Sequence, residues 1–523
     1  MTSGVSRFGL GIWFLPAYGL ITMLIGWKSR RKFATAADYL NASHALPLPI
    51  VIIAYLASNC GALEIVGLSA MAAHYGALAF HFYLIGAIPG MIFLALWMMP
   101  VYLHNSITSV PEYLMVRYGP RMRLLNACVT ACIMLLLSGI SLYAMAQVLT
   151  VTVGITFEWG ILCCASIVIV YVFLGGIRAT IYNELFQFFV IVAGLLPLAL
   201  RSFPLVHLHG KSDISQNLHL WHGMHAFAPQ ARMDGFGVVA GLGFVLGFGY
   251  WCTDFVMMQR AFAARTENDA RQVPLWAGFG KLLFSLLVVV PGLAAIHILP
   301  GASEHYDRTL PRMMTVLYSP WLQGLGLTAL AASLMSSLAS NVSAFAALWT
   351  EDIYRTTICK NRDDRHYLRM GHIAVLAATL LSLSASYLNF LFRDLMEHIQ
   401  LIFSVFAAPF WAVFLLGMLT RRTSERGAIF GFLLGSGFSF AHSVAVSRTW
   451  LSYGSTMTAN FHSAAYAFTI AAIAAWFLSP QEHVATAGRL QWSIVTVSRR
   501  DIYLALLALL LLIACVWFNV WWF

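Results

Sequence analysis

Three serines, Ser333, Ser336 and Ser337, stand at i, i+3 and i+4 in the run Ala332-Ser-Leu-Met-Ser-Ser337, so on a helix their hydroxyls share one face. Hydroxyl oxygens suit a hard cation such as sodium, which takes several oxygen ligands and needs no costly fixed charge beside it. A second polar run, Ala57-Ser-Asn-Cys-Gly-Ala-Leu-Glu64, falls in the middle of the apolar stretch 46–72. Serine, asparagine, glycine and a carboxylate are expensive at that depth in a bilayer. Irregular backbone survives there only where protein covers it or it lines a cavity. The run therefore predicts a broken helix, whose freed carbonyls would join the serine hydroxyls around an ion. Taken alone, the serine run would read better as small residues packing helices or bonding back to their own carbonyls.

The elements that would hold these groups are membrane helices. Of 523 residues 60% are hydrophobic and 10% charged, which excludes a string of soluble domains and predicts a polytopic membrane protein. About fourteen windows reach span length: 7–27, 47–72, 76–103, 124–152, 158–177, 178–200, 236–258, 274–299, 319–350, 369–389, 395–420, 427–447, 463–479 and 502–522. The first is too long for a signal-peptide core and is read as a retained span. Basic clusters at 28–32, 117–123, 260–271, 355–369 and 421–426 fall on one side when both termini are placed outside. The net charge of +10 then reflects orientation in a cell membrane and no nucleic-acid partner. The largest loop, about 202–235, is expected on the outer surface. Eight cysteines lack paired or metal-ligand spacing, and no phosphate loop, nucleophile elbow or HExxH occurs, so neither an enzyme nor a cofactor is expected.

A glycine run, Gly241-Leu-Gly-Phe-Val-Leu-Gly-Phe-Gly249, followed by Tyr250-Trp-Cys-Thr-Asp254, opens the seventh window as the polar run opens the second. Two breaks at corresponding positions predict a five-plus-five inverted repeat, 47–200 and 236–420, with an extra N-terminal helix at 7–27 and C-terminal helices over 427–522.

Four stretches together resemble the sodium/solute symporter family, most closely its sodium–glucose cotransporter branch. They are Ala57-Ser-Asn-Cys-Gly-Ala-Leu-Glu-Ile-Val-Gly67; Gly175-Gly-Ile-Arg-Ala-Thr-Ile-Tyr-Asn-Glu-Leu-Phe-Gln187; Tyr250-Trp-Cys-Thr-Asp254 with Gln259-Arg260; and Ala332-Ser-Leu-Met-Ser-Ser-Leu-Ala-Ser340 with Asp352-Ile-Tyr354. The likeness runs in order from about 38 to 430. It implies an all-α, LeuT-like core, fourteen helices, and sodium-driven symport by alternating access. It also implies a sodium ion among the carbonyls of Ala57 and Cys60 and the hydroxyls of Ser333, Ser336 and Ser337. For the solute it implies Asn59, Lys281 and Gln400 on sugar hydroxyls and Tyr250 and Trp251 as an aromatic pair. Glu64 stands where relatives place Gln or His, Asp254 where a sugar-transporting relative has Asn, and Tyr83 where glutamate is usual. In the signature stretch Asn183-Glu184 replaces Thr-Asp, and Glu184 keeps a carboxylate on the ion's path, one methylene longer.

The implied solute set suits a neutral polyol, since Asn and Gln both donate and accept, Lys donates, Glu accepts, and an aromatic face covers a pyranose. Lys281, a cation at membrane depth, must find a partner or a wet cavity, and Glu64 or Asp254 is expected to balance it. The expected partners are thus sodium, a small solute with a sugar foremost, and the lipid bilayer. An amino acid, a carboxylate or another small solute stays open because of Tyr83. From other classes, a polytopic transferase would show a polar cluster near one membrane face, and a membrane solute sensor an appended signalling domain.

Overall fold

The computed structural model describes residues 11, 13–29, 46–105, 107, 109–208, 218–221, 224–299, 306–392, 395–479 and 499–522. The start of the first window, the basic residues 30–32, residues 209–217 and 222–223 of the 202–235 loop, and Arg393 and Arg489 lie outside the described residues, as do the side chains of residues 171, 174–179, 207 and 208. Among the described residues there is helix and no strand, and some helix lies in each of the fourteen windows. Nine of these helices are long and apolar enough to cross a membrane, or ten if the bent pair Gly237–Thr253 and Phe255–Ala261 is counted as one span.

Contacts gather the chain into two units, each assembled from three separate stretches: residues 1–80, 131–219 and 283–396, and residues 81–130, 220–282 and 397–523. In the first unit the polar run breaks its helix as expected. Helix Leu48–Asn59 ends at Cys60, whose N–H still bonds the Leu56 and Ala57 carbonyls at 3.2 and 3.1 Å. Gly61 then turns into extended backbone, and a π-helical turn Ala62–Gly67 leads into helix Leu68–Tyr75. A residue larger than glycine cannot occupy position 61, because a β-carbon there would collide with the Cβ and Oγ of Ser337.

The serines lie on the regular helix Pro320–Ala347, which packs along Phe157–Leu208. That second helix corrects an expectation. The windows 158–177 and 178–200 predict a turn near Arg178, yet helical structure continues through all 52 residues. Paired glycines weaken a helix by about 1 kcal/mol each without ending it, and no proline occurs before Pro197. Within the run Thr180–Val206 is long and apolar enough to cross a membrane by itself, and Phe157–Val170 is a shorter apolar helix.

The second unit corrects the other break. Residues Gly237–Gly247 form a continuous π-helical segment, followed by helix Phe248–Thr253. Its glycines provide close approach: a β-carbon on Gly241 would strike the Phe461 backbone, and one on Gly247 the Gly86 carbonyl. The break falls later, at Asp254, whose extended backbone separates Phe248–Thr253 from Phe255–Ala261 with a 50° bend. Two reciprocal caps also brace this unit. Buried Arg117 donates to the carbonyls of Gly417, Thr420 and Thr423 at 2.8, 2.7 and 3.2 Å, satisfying the end of helix Ala408–Leu419. Glu425 in turn accepts the N–H groups of Arg121 and Met122 at the start of helix Pro120–Val153.

Candidate functional site

The first unit brings the predicted ion ligands together. Ala57, Cys60, Ser333 and Ser336 are fully buried. Ser336 donates its hydroxyl to the Ala57 carbonyl at 3.4 Å. That is long for an O–H···O bond. Two oxygens bound at right angles to one hard cation at about 2.4 Å stand about 3.4 Å apart, so the spacing already suits shared coordination. The Ser333 hydroxyl has no hydrogen-bond partner among the described residues, which for a buried group calls for a ligand. Ser337 lies against Gly61 and accepts a hydrogen bond from Ser141 at 3.2 Å.

The hydroxyl face extends beyond the three serines. Ser340 donates to the carboxylate of buried Glu184 at 2.6 Å, and Ser343 meets Thr180 at 3.2 Å. Glu184, predicted from the signature stretch, is therefore one helical turn from Ser336 along the same face. Ser340, Ser343, Thr180 and Ser141 were missed as single residues, although Ser340 and Ser343 continue the spacing from Ser336 at +4 and +7.

The predicted solute residues divide between the units. Asn59 and Glu64 flank the break in the first unit, and the carboxylate of Glu64 is only 1% exposed. Tyr83, Tyr250, Trp251, Asp254, Lys281 and Gln400 belong to the second. There Tyr250 and Trp251 meet edge to face at 5.3 Å, and Lys281 places its ammonium 5.6 Å from the Trp251 ring centre. Lys281 is fully buried, so its charge does not reach the membrane surface. Tyr83 on the short helix His81–Leu84 and Gln400 on Leu395–Ile402 are buried too. Asp254 has a structural task the sequence did not reveal: its carboxylate accepts the Met257 N–H at 2.9 Å and caps the helix after the bend.

Oxygens on a broken helix and a facing helix, with polar and aromatic groups buried in a helical membrane protein, are groups that a solute carrier would use. Residues 2–435 match the model of the sodium:solute symporter family. The chain belongs to that family. It is 26% identical to a sodium/glucose cotransporter of Vibrio parahaemolyticus over 79% of this chain and 81% of that protein. It is 27% identical to a sodium/mannose cotransporter of Bos taurus over 66% of this chain and 64% of that protein. Against a sodium/myo-inositol cotransporter of Mus musculus the identity is 27%, over 80% of this chain and 68% of that protein. The chain thus spans about two thirds of these mammalian relatives. A solved sodium-coupled sialic acid symporter, substrate-bound and outward-open, superposes with a TM-score of 0.75 at 17% identity over 91% of this chain and all of that one. Its likeness establishes the LeuT-like fold. The symporter is a multi-pass membrane transporter that couples sodium to a small solute, not an enzyme, and sodium is its coupling ion.

Proposed function

We propose that the symporter imports a neutral polyol, a sugar foremost, together with sodium across the cell membrane by alternating access, with both termini outside. The observation that carries the ion half is the approach of Ser336 to the Ala57 carbonyl beside the unpartnered hydroxyl of Ser333. Sodium takes the carbonyls of Ala57 and Cys60 and the hydroxyls of Ser333, Ser336 and Ser337, then leaves along the face that carries Glu184. In the same break, the Asn59 and Glu64 side chains serve the solute, so one interruption of one helix answers to both ligands. Lys281 under Trp251 supplies a donor and Tyr250 and Trp251 an apolar face, with Tyr83, Asp254 and Gln400 adding polar contacts. Residues 47–200 and 236–420 form the two inverted halves.

Sodium's inward movement releases about 2.3 kcal/mol per 100 mV, and a tenfold gradient adds about 1.4 kcal/mol. One ion therefore suffices to concentrate a neutral solute a few hundredfold. Binding between the broken helix and the serine helix fixes the two against each other and favours the state that accepts solute. Competition decides the substrate class: glucose, mannose and myo-inositol should inhibit sodium-driven uptake, whereas proline and a monocarboxylate should not. Inhibition by proline or by the monocarboxylate alone would replace the polyol reading with an amino acid or carboxylate one.

A further inference from the structure

One turn of the helix Phe157–Leu208 faces two partners at once. Thr180 and Glu184, four residues apart, meet Ser343 and Ser340 of the serine helix. Asn183 and Gln187, also four apart and rotated by about 60° around the axis, meet the N-terminal helix Phe14–Ser29. Gln187 donates to the Tyr18 hydroxyl at 2.7 Å and Asn183 to the Thr22 carbonyl at 3.4 Å. Between these rungs Phe186 stacks on the Tyr18 ring at 6.0 Å. All four polar residues are buried, so their hydrogen bonds have no water to replace them.

We propose that Tyr18, through Gln187, is a positioning residue for the ion path. The N-terminal helix fixes the rotation of the turn that aims Glu184 at Ser340. A helix is stiff about its own axis, so anchoring Asn183 and Gln187 on one face sets the direction of the carboxylate on the adjacent face. The second amide oxygens, Gln187 Oε1 and Asn183 Oδ1, lack partners among the described residues. The anchor thus rests on the two bonds already named, and removing the Tyr18 hydroxyl leaves Gln187 without a partner there.

This inference rests on Glu184 acting on the ion path, and its test separates the two claims. Binding of radioactive sodium is measured on the purified full chain as wild type, Tyr18→Phe, Gln187→Met, Glu184→Gln and the Tyr18→Phe/Glu184→Gln pair. Phenylalanine keeps the ring stacked on Phe186, and methionine keeps the shape of Gln187 without its donor. Tyr18→Phe and Gln187→Met should each weaken sodium binding about fivefold, the scale of one buried hydrogen bond, with the thermal midpoint within about 3 °C of wild type. In the Glu184→Gln background Tyr18→Phe should add less than about twofold, because the group it positions is already changed. Wild-type sodium binding in both Tyr18→Phe and Gln187→Met, or the same loss in the Glu184→Gln background as in wild type, overturns the positioning role alone. Wild-type sodium binding in Glu184→Gln removes Glu184 from the ion path, and the inference with it.

Discussion

The serines of the first unit stand at regular intervals on one helix, whereas the polar and aromatic groups of the second come from the bend at Asp254, the short helices of Tyr83 and Gln400, and the long helix Glu267–Ile298 that carries Lys281. In the first, Ser333, Ser336, Ser337, Ser340 and Ser343 mark one face of one helix, and each neighbour they meet, Ala57, Gly61, Ser141, Glu184 or Thr180, lies on another regular element or at its break. In the second, Asp254 ends one helix and begins the next, while Lys281 and Trp251 meet from different elements. A monatomic ion needs only oxygens at a fixed spacing, and helical periodicity delivers that. A solute with several hydroxyls needs donors, acceptors and an apolar face aimed from several directions. On the proposed assignment, ion recognition would draw on a helical repeat, and solute recognition on groups brought together from several elements.

Part of the second unit's polar inventory is architectural, and the largest expected effect tests that division. Arg117→Ala leaves the Gly417, Thr420 and Thr423 carbonyls without their donor and should cost about 3 kcal/mol, read as a lowered thermal midpoint of the solubilised protein. Lys281→Met should lower solute affinity about thirtyfold, and Lys281→Arg should fail similarly because its planar fork cannot reproduce a compact ammonium. Its sodium dependence should stay close to wild type. Full uptake in Lys281→Met would remove the residue from the solute site. Ser336→Ala should do the reverse, raising the sodium concentration for half-maximal uptake about tenfold with little change in solute affinity at saturating sodium. If both variants shift both ligands equally, the division between the units collapses.

The smallest effect lies outside both sites. A hydrogen bond from Arg362, with a further one from Tyr354, holds the half-buried Cys359 thiol below its ordinary pKa. More thiolate is then present at neutral pH, so maleimide should label Cys359 faster than in Arg362→Ala, whose rate profile should move to higher pH. Equal rates in the two proteins would remove that pairing.

How much of this was legible in the sequence follows the same line. The serine face could be read because its spacing is helical, and the break at 57–64 because polar residues stood where none is cheap. The second break falls at the far end of the stretch read for it, at Asp254, and not in its glycines. Glycines at 241–249 suggested interruption but serve close approach to Phe461 and Gly86, and those partners lie far along the chain. Asp254 was singled out by resemblance, standing where a sugar-transporting relative has Asn, and only the folded backbone shows the N–H it also caps. The expected turn at Arg178 gave way to continuous helix, since glycine lowers helix propensity without fixing a boundary. The caps made by Arg117 and Glu425 join positions some three hundred residues apart, beyond any local pattern.

The central claim is that sodium drives uptake of a polyol, and reconstitution tests it most directly. Proteoliposomes holding the purified chain are given an inward sodium gradient, an inside-negative potential and radiolabelled glucose, mannose or myo-inositol in separate assays. At least one of the three should accumulate above its external concentration, and the accumulation should disappear when potassium replaces sodium outside or when the gradient is collapsed. Uptake of all three that is absent, or identical with and without sodium, would contradict the account.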